Sequence, residues 1–252
     1  IELIISDDGS DDDTESVIRS WKEKVDFNIL YINQKNKGPG AARNHGLENS
    51  SGDLIFFIDS DCEAHKTWIE IIIKEYSQNG FDACGGPDGA KNDFTLLQKA
   101  IDFSMTSFLT TGGIRGHHQK MIAKFYPRTH NMCITKEVYD RIGGFGSLRH
   151  GQDIEFSNRI KKAGFQIRFI KDALVYHRRR TSIRQFLKQV FNWGVARVNL
   201  GKIDSQMLEI VHFLPTTACL FSFFSIIIFI FLGWSAINII LIFLIPLTIV
   251  SF

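Results

Sequence analysis

Charge is missing from one end of this sequence. Residues 210–252 contain no Asp, Glu, Lys or Arg and are rich in Phe, Ile and Leu. A soluble domain of this size has too little interior to cover so much apolar surface, so the run predicts membrane insertion rather than a long core helix. It has room for two crossings, roughly residues 216–232 and 234–252, each near the lower limit of about 17 residues for a helical span.

Paired cysteines and a strong charge excess are also lacking. The four cysteines are widely spaced and form no CxxC, which predicts neither a zinc site nor a disulfide framework. The formal net charge of +2 is too small to indicate nucleic-acid binding. Because the sequence opens on Ile1 within a strand-like run and stops within an apolar one, we expect a fragment.

The charged part of the sequence alternates between strand-like and helix-like patterns. Apolar runs predict strands over residues 1–6, 27–32 and 54–58, the last buried on both faces of a parallel sheet. A helical pattern enters at Thr14 and a second covers residues 41–47, which together indicate an α/β fold. Further helices are predicted over residues 67–76, 94–109, 136–142, 153–163 and 182–197, strands over 165–170 and 173–176, and a loop over 112–119.

Two carboxylates follow the third predicted strand. Asp59 and Asp61 stand one residue apart behind the run IFFI, at the edge of the sheet where open α/β folds place ligands. Such oxygens suit Mg²⁺ or Mn²⁺ and leave coordination positions for phosphate and water. The alternative is an ordinary acidic strand-to-loop turn, since an isolated DxD is a short motif.

Acidic and glycine-rich turns follow the first two strands. Asp7 and Asp8 stand at a strand end, where their oxygens can accept hydrogen bonds from a base or a ribose, although a turn closed by Gly9 explains them too. The loop NKGPG opens a helix that carries Arg43, which favours phosphate binding or a plain helix start.

Asp153 and His177 complete the candidate set. Asp153 stands near the start of a predicted helix, where a carboxylate serves either as a helix cap or as a general base. His177 ends a predicted strand and is read either as a metal or phosphate ligand or as an ordinary polar residue.

Taken in order, these segments resemble glycosyltransferase family 2, the inverting group with the GT-A fold. The resemblance covers residues 1 to about 177 and rests on five ordered blocks: IISDDGSDDDT, NKGPGAARNHGL, GDLIFFIDSDC, NMCITKEVYDRIGGF, and GQDIEFSNRIKKAG followed by VYH. It implies an α/β fold with a Rossmann-like mixed sheet flanked by helices, whose first strand is missing before Ile1.

The resemblance also implies a role for each candidate residue. Asp7 and Asp8 correspond to the acidic pair that contacts the nucleoside, and Arg43 to an arginine near the nucleotide. Asp59 and Asp61 correspond to the motif that binds the metal, with Asp59 also near the nucleotide. Asp153 corresponds to the catalytic base, and His177 to a histidine that holds the metal or pyrophosphate in some relatives.

Two departures from the family pattern stand out. Gln152 replaces the glutamate that precedes the catalytic aspartate, which removes a negative charge that would raise the pKa of the base. The QxxRW motif of processive relatives is altered, with Asn192 in the arginine position before Trp193. We therefore expect transfer of single sugars rather than processive polymer synthesis.

These observations predict a metal-dependent inverting glycosyltransferase with a catalytic domain over residues 1–180, an amphipathic interfacial helix region over 181–209 and a membrane segment over 210–252. The expected partners are a nucleotide-sugar donor, a lipid-linked or glycan acceptor and the membrane, with no nucleic acid. Basic residues between 178 and 202 place the catalytic domain on the cytoplasmic side of the inner membrane. The alternatives are a non-catalytic nucleotide-sugar-binding regulatory module and a nucleotidyltransferase.

Overall fold

The computed structural model describes residues 1–106 and 125–232 of the chain. The chain forms two compact units, the first from residues 1–86 and 126–175, and the second from residues 87–125 and 176–252. The loop predicted over residues 112–119 and the membrane crossing predicted over residues 234–252 lie outside the described residues.

The described elements alternate between short strands and helices. The strands are β1 (Glu2–Asp7), β2 (Asn28–Asn33), β3 (Leu54–Phe57), β4 (Cys62–Ala64), β5 (Ala83–Gly85), β6 (Asp88–Gly89), β7 (Met132–Thr135), β8 (Ile167–Phe169) and β9 (Val175–His177). The helices are α1 (Thr14–Lys22), α2 (Pro39–Glu48), α3 (Trp68–Asn79), α4 (Leu96–Thr106), α5 (Lys136–Ile142), α6 (Gln152–Lys162), α7 (Ile183–Ile203) and α8 (Leu214–Leu232). Short 3-10 turns cover Ser205–Met207 and Ile210–Phe213.

The first unit opens with a parallel pair of strands. β1 and β2 align from Glu2 opposite Asn28 to Asp7 opposite Asn33, with α1 as the connection between them. Because the strands are parallel, Asp7 and Asn33 meet at the same edge. The helix α2 then packs on β1, after a turn in which Gly38 adopts φ 92°, a conformation that favours glycine.

A four-stranded mixed sheet forms the rest of the first unit. Its order is β3-β7-β5-β8, with β7 antiparallel to both β3 and β5, and β5 parallel to β8. Two apolar clusters enclose this sheet. One contains Phe57, Met132, Ile134, Phe156 and Ile160, and the other contains Trp68, Ile72, Phe81, Ala173 and Val175. The predicted mixed sheet is therefore present.

One buried amide ties three segments of the first unit together. Asn131 is 1% exposed, accepts a hydrogen bond from the Trp68 indole at 2.8 Å and donates one to the Ala173 carbonyl at 2.7 Å. A buried polar group without partners destabilises the fold, so these two hydrogen bonds favour one position for Asn131. Asn131 directly precedes β7, the strand that pairs with β3.

The second unit contains a buried ion-pair cluster. Arg179 is 3% exposed and lies 2.6 Å from Asp88 Oδ2 and 2.6 Å from Asp102 Oδ1, while its carbonyl accepts a hydrogen bond from Gln98. These contacts join β6, α4 and the segment that leads into α7. They compensate for the cost of burying a guanidinium.

Most predicted helices and strands are present with shifted ends, but the predicted pairing direction of one strand is wrong. The strand over residues 54–58 was expected within a parallel sheet, whereas β3 pairs antiparallel with β7. It is also not equally buried on both faces, because Ile55 and Phe57 are buried while Leu54 and Phe56 are partly exposed. The short strands β4 to β7 were not predicted, since two to four residues carry too little periodicity to be recognised.

The apolar C-terminal run is described only in part. Its first portion forms α8 over Leu214–Leu232, close to the first predicted crossing. Among the described residues, no helix meets the length and hydropathy required for a membrane span.

Candidate active site

Asp7 lies at the carboxyl end of β1 with its carboxylate fully used by the protein. Oδ1 accepts hydrogen bonds from the backbone and the hydroxyl of Ser10 at 2.9 and 2.7 Å. Oδ2 accepts one from the Tyr31 hydroxyl at 2.5 Å and one from the Asn33 amide at 3.0 Å. Four donors occupy the four lone-pair positions of a carboxylate, so a nucleotide must displace one of them to reach Asp7.

Hydrogen bonding also controls the charge of Asp7. The Tyr31 hydroxyl is the largest influence, and with Ser10 and Asn33 it holds the pKa of Asp7 at about 2, against burial, which acts to raise it. Asp7 is therefore ionised throughout the physiological range, and it fixes the end of β1 against the end of β2.

Asp8 organises the glycine-rich loop. Its Oδ1 accepts hydrogen bonds from the Gln34 amide at 2.6 Å and from the Lys37 backbone at 2.9 Å, while Oδ2 accepts one from the Gly38 backbone at 2.7 Å. Burial acts to raise the pKa of Asp8, but these three donors together lower it. Of the two predicted nucleotide-binding aspartates, Asp8 thus shapes the loop that leads into α2, and it keeps one acceptor position open.

The structure brings Arg43 and Asp59 together. The Arg43 guanidinium on α2 donates from Nη2 to Asp59 Oδ1 at 2.8 Å, just beyond the end of β3. The two side chains are 19% and 33% exposed, so this ion pair is only partly screened by water. Arg43 also lies over the Phe145 ring, 5.7 Å from its centroid, which restricts the orientation of the guanidinium plane.

Asp61 stands two residues beyond Asp59 at the surface of the first unit. The backbone turns between them, because Cys62 N–H donates to the Asp59 carbonyl at 3.0 Å. Asp59 keeps Oδ2 for a further contact while Arg43 occupies Oδ1. Two carboxylates in a turn after a strand supply the hard oxygen ligands that Mg²⁺ and Mn²⁺ prefer, so the residues present fit such an ion.

Asp153 lies in the first turn of α6 and is not the cap of that helix. The N-cap is Gly151, with φ 82°. The carboxylate of Asp153 accepts hydrogen bonds from Arg128 Nη1 at 3.2 Å and from the Ile154 backbone at 3.0 Å. Burial acts to raise the pKa of Asp153, but the charge and the hydrogen bond of Arg128, with a smaller electrostatic influence of His130, lower it overall. A carboxylate held ionised beside an arginine has the charge state that a general base needs.

Two sets of side-chain hydrogen bonds hold the loop that precedes α6. Asn44 on α2 exchanges two hydrogen bonds with the backbone of Phe145, at 2.9 and 2.7 Å. Arg159 on α6 donates to the carbonyls of Ile142 and Gly144 at 2.7 and 2.6 Å. The centroids of the Phe145 and Phe156 rings lie 4.4 Å apart in the same region. Side-chain contacts therefore link α2, the loop and the helix that carries Asp153.

His177 belongs to the second unit. Its Nδ1 lies 3.3 Å from Arg179 Nη1 and 3.8 Å from Asp88 Oδ2. This surrounding is polar and charged, which suits either a ligand or a member of the Arg179 cluster. Its predicted part in metal binding stays a prediction.

Sequence reasoning missed several partners in the site. Arg128 precedes the NMCIT block and reaches Asp153 only through the fold, 25 residues away in the chain. Tyr31 and Asn33 alternate along β2 and point towards Asp7 because of the β1–β2 register. The alternation of Tyr31 and Asn33 along a strand is the only one of these features that the sequence displays. The contact between Arg128 and Asp153 depends on tertiary packing.

Solved structures share this fold. Staphylococcus aureus TarS 1–349 in complex with UDP-GlcNAc aligns with a TM-score of 0.53 at 19% identity, covering 72% of this chain and 50% of that one. The mannosyltransferase PcManGT from Pyrobaculum calidifontis, in complex with GDP-Man and Mn²⁺, aligns with a TM-score of 0.55 at 16% identity, covering 78% and 51%. The fold is the GT-A-like α/β fold that the sequence predicts.

The family model for glycosyl transferase family 2 matches residues 1–154, and the chain belongs to this family. Glycosyltransferase AglE of Haloferax volcanii is 28% identical over 215 residues, covering 81% of this chain and 64% of the relative. The putative glycosyltransferase EpsH of Bacillus subtilis is 26% identical over 220 residues, covering 78% and 58%. The chain thus spans about 60% of the length of these two relatives.

The hydrogen bonds to Asp7 predict an acid-dependent loss of stability. Because its pKa falls from 3.8 to about 2 on folding, the carboxylate contributes stability that is complete above about pH 5 and is lost as the pH falls towards 2. We expect Asp7→Asn to lower the free energy of unfolding by about 2 kcal/mol at pH 7 and by about half as much at pH 3. Urea unfolding at both pH values measures this, with the exposed Asp26→Asn as the control. An equal loss at both pH values would show that the ionised carboxylate is not the source.

Proposed function

We propose that this chain is the catalytic part of a metal-dependent inverting glycosyltransferase that moves a sugar from a nucleotide-diphosphate sugar to an acceptor hydroxyl. The observation that carries the proposal is the arrangement in the first unit, where Arg43 pairs with Asp59 and an ionised Asp153 stands beside Arg128. Membership of family 2 supports transfer of a sugar.

The donor is held at the carboxyl ends of β1 and β3. Arg43 offers a planar charged donor for the diphosphate, and the open acceptor position of Asp8 suits a nucleoside N–H or hydroxyl. The complexes of TarS with UDP-GlcNAc and of PcManGT with GDP-Man support a nucleotide sugar as donor, and we favour a UDP-sugar.

Asp59 and Asp61 would hold a divalent metal in this site. When bound, Mn²⁺ or Mg²⁺ neutralises the charge that grows on the departing nucleotide diphosphate. The Mn²⁺ in the PcManGT complex and the carboxylate oxygens of this chain support that choice. His177 is a further candidate ligand, as the resemblance implies.

Asp153 acts as the general base. It takes the proton from the acceptor hydroxyl as that oxygen attacks the anomeric carbon, and the bond from that carbon to the diphosphate oxygen breaks in the same displacement. One displacement inverts the anomeric centre. Arg128 and the Ile154 backbone each bond to one oxygen of the carboxylate, so each oxygen keeps a lone pair that is available to an acceptor hydroxyl.

The acceptor is a lipid-linked or other glycan at the cytoplasmic face of the membrane. The support is the uncharged run over residues 210–252 and the surface of α7. On that helix Leu187, Phe191 and Val198 are 62%, 71% and 55% exposed, while Ala196 and Leu200 face inward and are buried. The exposed face also carries Arg184, Lys188 and Lys202, so it combines apolar and basic side chains as helices at anionic lipid surfaces do.

Donor turnover tests the catalytic proposal. We expect full-length protein in membranes to release nucleotide from one of the UDP-, GDP- or dTDP-sugars only with Mn²⁺ or Mg²⁺, and to form a product of inverted anomeric configuration. Asp153→Asn should lower turnover by about a thousandfold or more while nucleotide binding stays near that of the wild type. The exposed Asp26→Asn serves as the matched control. Nucleotide binding without release for any donor, with lipid extracts present, would favour the regulatory module instead.

Quenching by lipids tests the membrane proposal. A fluorophore on Phe191→Cys in a background without other cysteines should be quenched strongly by nitroxide-labelled lipids in anionic vesicles. The same label on Gln78→Cys, an exposed position on α3, should be quenched far less. Equal quenching at both positions would remove α7 from the lipid surface.

A further inference from the structure

Gln152 stands between the two halves of the candidate site. It is the first residue of α6, it directly precedes Asp153, and it is 8% exposed. Its side chain extends towards α2, where Arg43 and Asp59 form their ion pair. A buried polar side chain in this place lies close to the Arg43–Asp59 pair proposed for the donor and to the proposed base, Asp153.

The amide of Gln152 has a partner for each of its ends. Oε1 accepts a hydrogen bond from Arg43 Nη1 at 3.4 Å, and Nε2 donates one to the Gly146 carbonyl at 3.5 Å. Both contacts are long, so each contributes little alone. A carboxylate in the same place has no N–H to donate, and its oxygen would face the Gly146 carbonyl.

Close packing fixes the amide more firmly than these hydrogen bonds do. A Cβ atom built on Gly40 of α2 would lie only 2.3 Å from Gln152 Nε2 and 2.8 Å from its Cδ. The side chain therefore lies directly on the α2 backbone, in space that exists because residue 40 is glycine. The amide has little freedom to leave Arg43.

Because Gln152 is neutral, it leaves the charged groups around it, Arg43 and Asp153, without a further negative neighbour. Arg43 donates from its other nitrogen, Nη2, to Asp59 at 2.8 Å. A second carboxylate at position 152 would compete with Asp59 for this guanidinium. It would also add a negative charge beside Asp153, whose pKa is lowered by the Arg128 guanidinium and, less strongly, by His130.

We infer that Gln152 is a positioning residue that holds Arg43 on Asp59 and keeps the surroundings of Asp153 free of a second negative charge. The inference rests on the proposed function, because it assigns Arg43 and Asp59 to the donor and Asp153 to the base. It explains why an amide is compatible with activity where the family pattern has a carboxylate.

Two substitutions separate the two effects. Gln152→Met keeps the volume against Gly40 but removes the contact with Arg43, so the KM for the donor should rise about three- to tenfold while the acid limb of the kcat/KM profile stays in place. Gln152→Glu should raise the donor KM and also move the acid limb up by about one pH unit, through the added charge next to Asp153. Gln78→Glu on the exposed face of α3 makes the same change of charge as a control and should move neither quantity.

Measurements without turnover keep the inference separate from the proposed function. Calorimetry of UDP and GDP binding with Mn²⁺ should show weaker binding in both Gln152 variants, and a carboxyl ¹³C NMR titration should show a raised Asp153 pKa only in Gln152→Glu. If the wild-type protein shows no turnover but the Gln152 variants show these two responses, the proposed function is contradicted and the inference about Gln152 is not. Unchanged nucleotide affinity in Gln152→Met together with an unmoved Asp153 titration in Gln152→Glu would overturn the inference, as would equal kcat losses with no change in KM or pH profile.

Discussion

The ion pair between Arg43 and Asp59 is the interaction on which the rest of the candidate site depends. It joins the helix α2 to the turn after β3, and both partners are partly buried. Loss of either partner would leave a partly buried charge unpaired, which costs far more than an exposed salt bridge contributes. The glycine-rich loop, the Phe145 ring and the Gln152 amide all contact Arg43 or the helix that carries it.

The acidic residues of this chain divide into those that build the site and those left to act in it. Asp7 and Asp8 accept seven hydrogen bonds from protein groups between them, counted as four and three. They hold β1, β2 and the loop before α2 in one arrangement, which presents Arg43. Asp59 and Asp153 each pair with one arginine, which orients the carboxylate and leaves it acceptor capacity to spare. This division explains how neighbouring carboxylates in one site have different roles.

The sequence was most informative where a pattern is long or a residue type is rare. The helix over Lys136–Ile142 was predicted with the observed ends, and the helical periodicity behind Thr14 marks α1. The direction of β3 was not readable, because an apolar run shows burial but not the strand that pairs with it. Asp59 and Asp153 were found from motif and resemblance, whereas Arg128 was missed because its contact with Asp153 exists only after α6 has packed. Contacts between distant segments depend on packing, which a single sequence does not display.

A crystal structure of the full-length protein with Mn²⁺ and a non-hydrolysable nucleotide sugar tests the central claim most directly. We expect the metal on Asp59 and Asp61, the diphosphate beside Arg43, and the Asp153 carboxylate on the side of the anomeric carbon opposite the diphosphate. A nucleotide sugar bound without contact to Asp59 or Asp61, or with Asp153 on the same side as the leaving group, would contradict it.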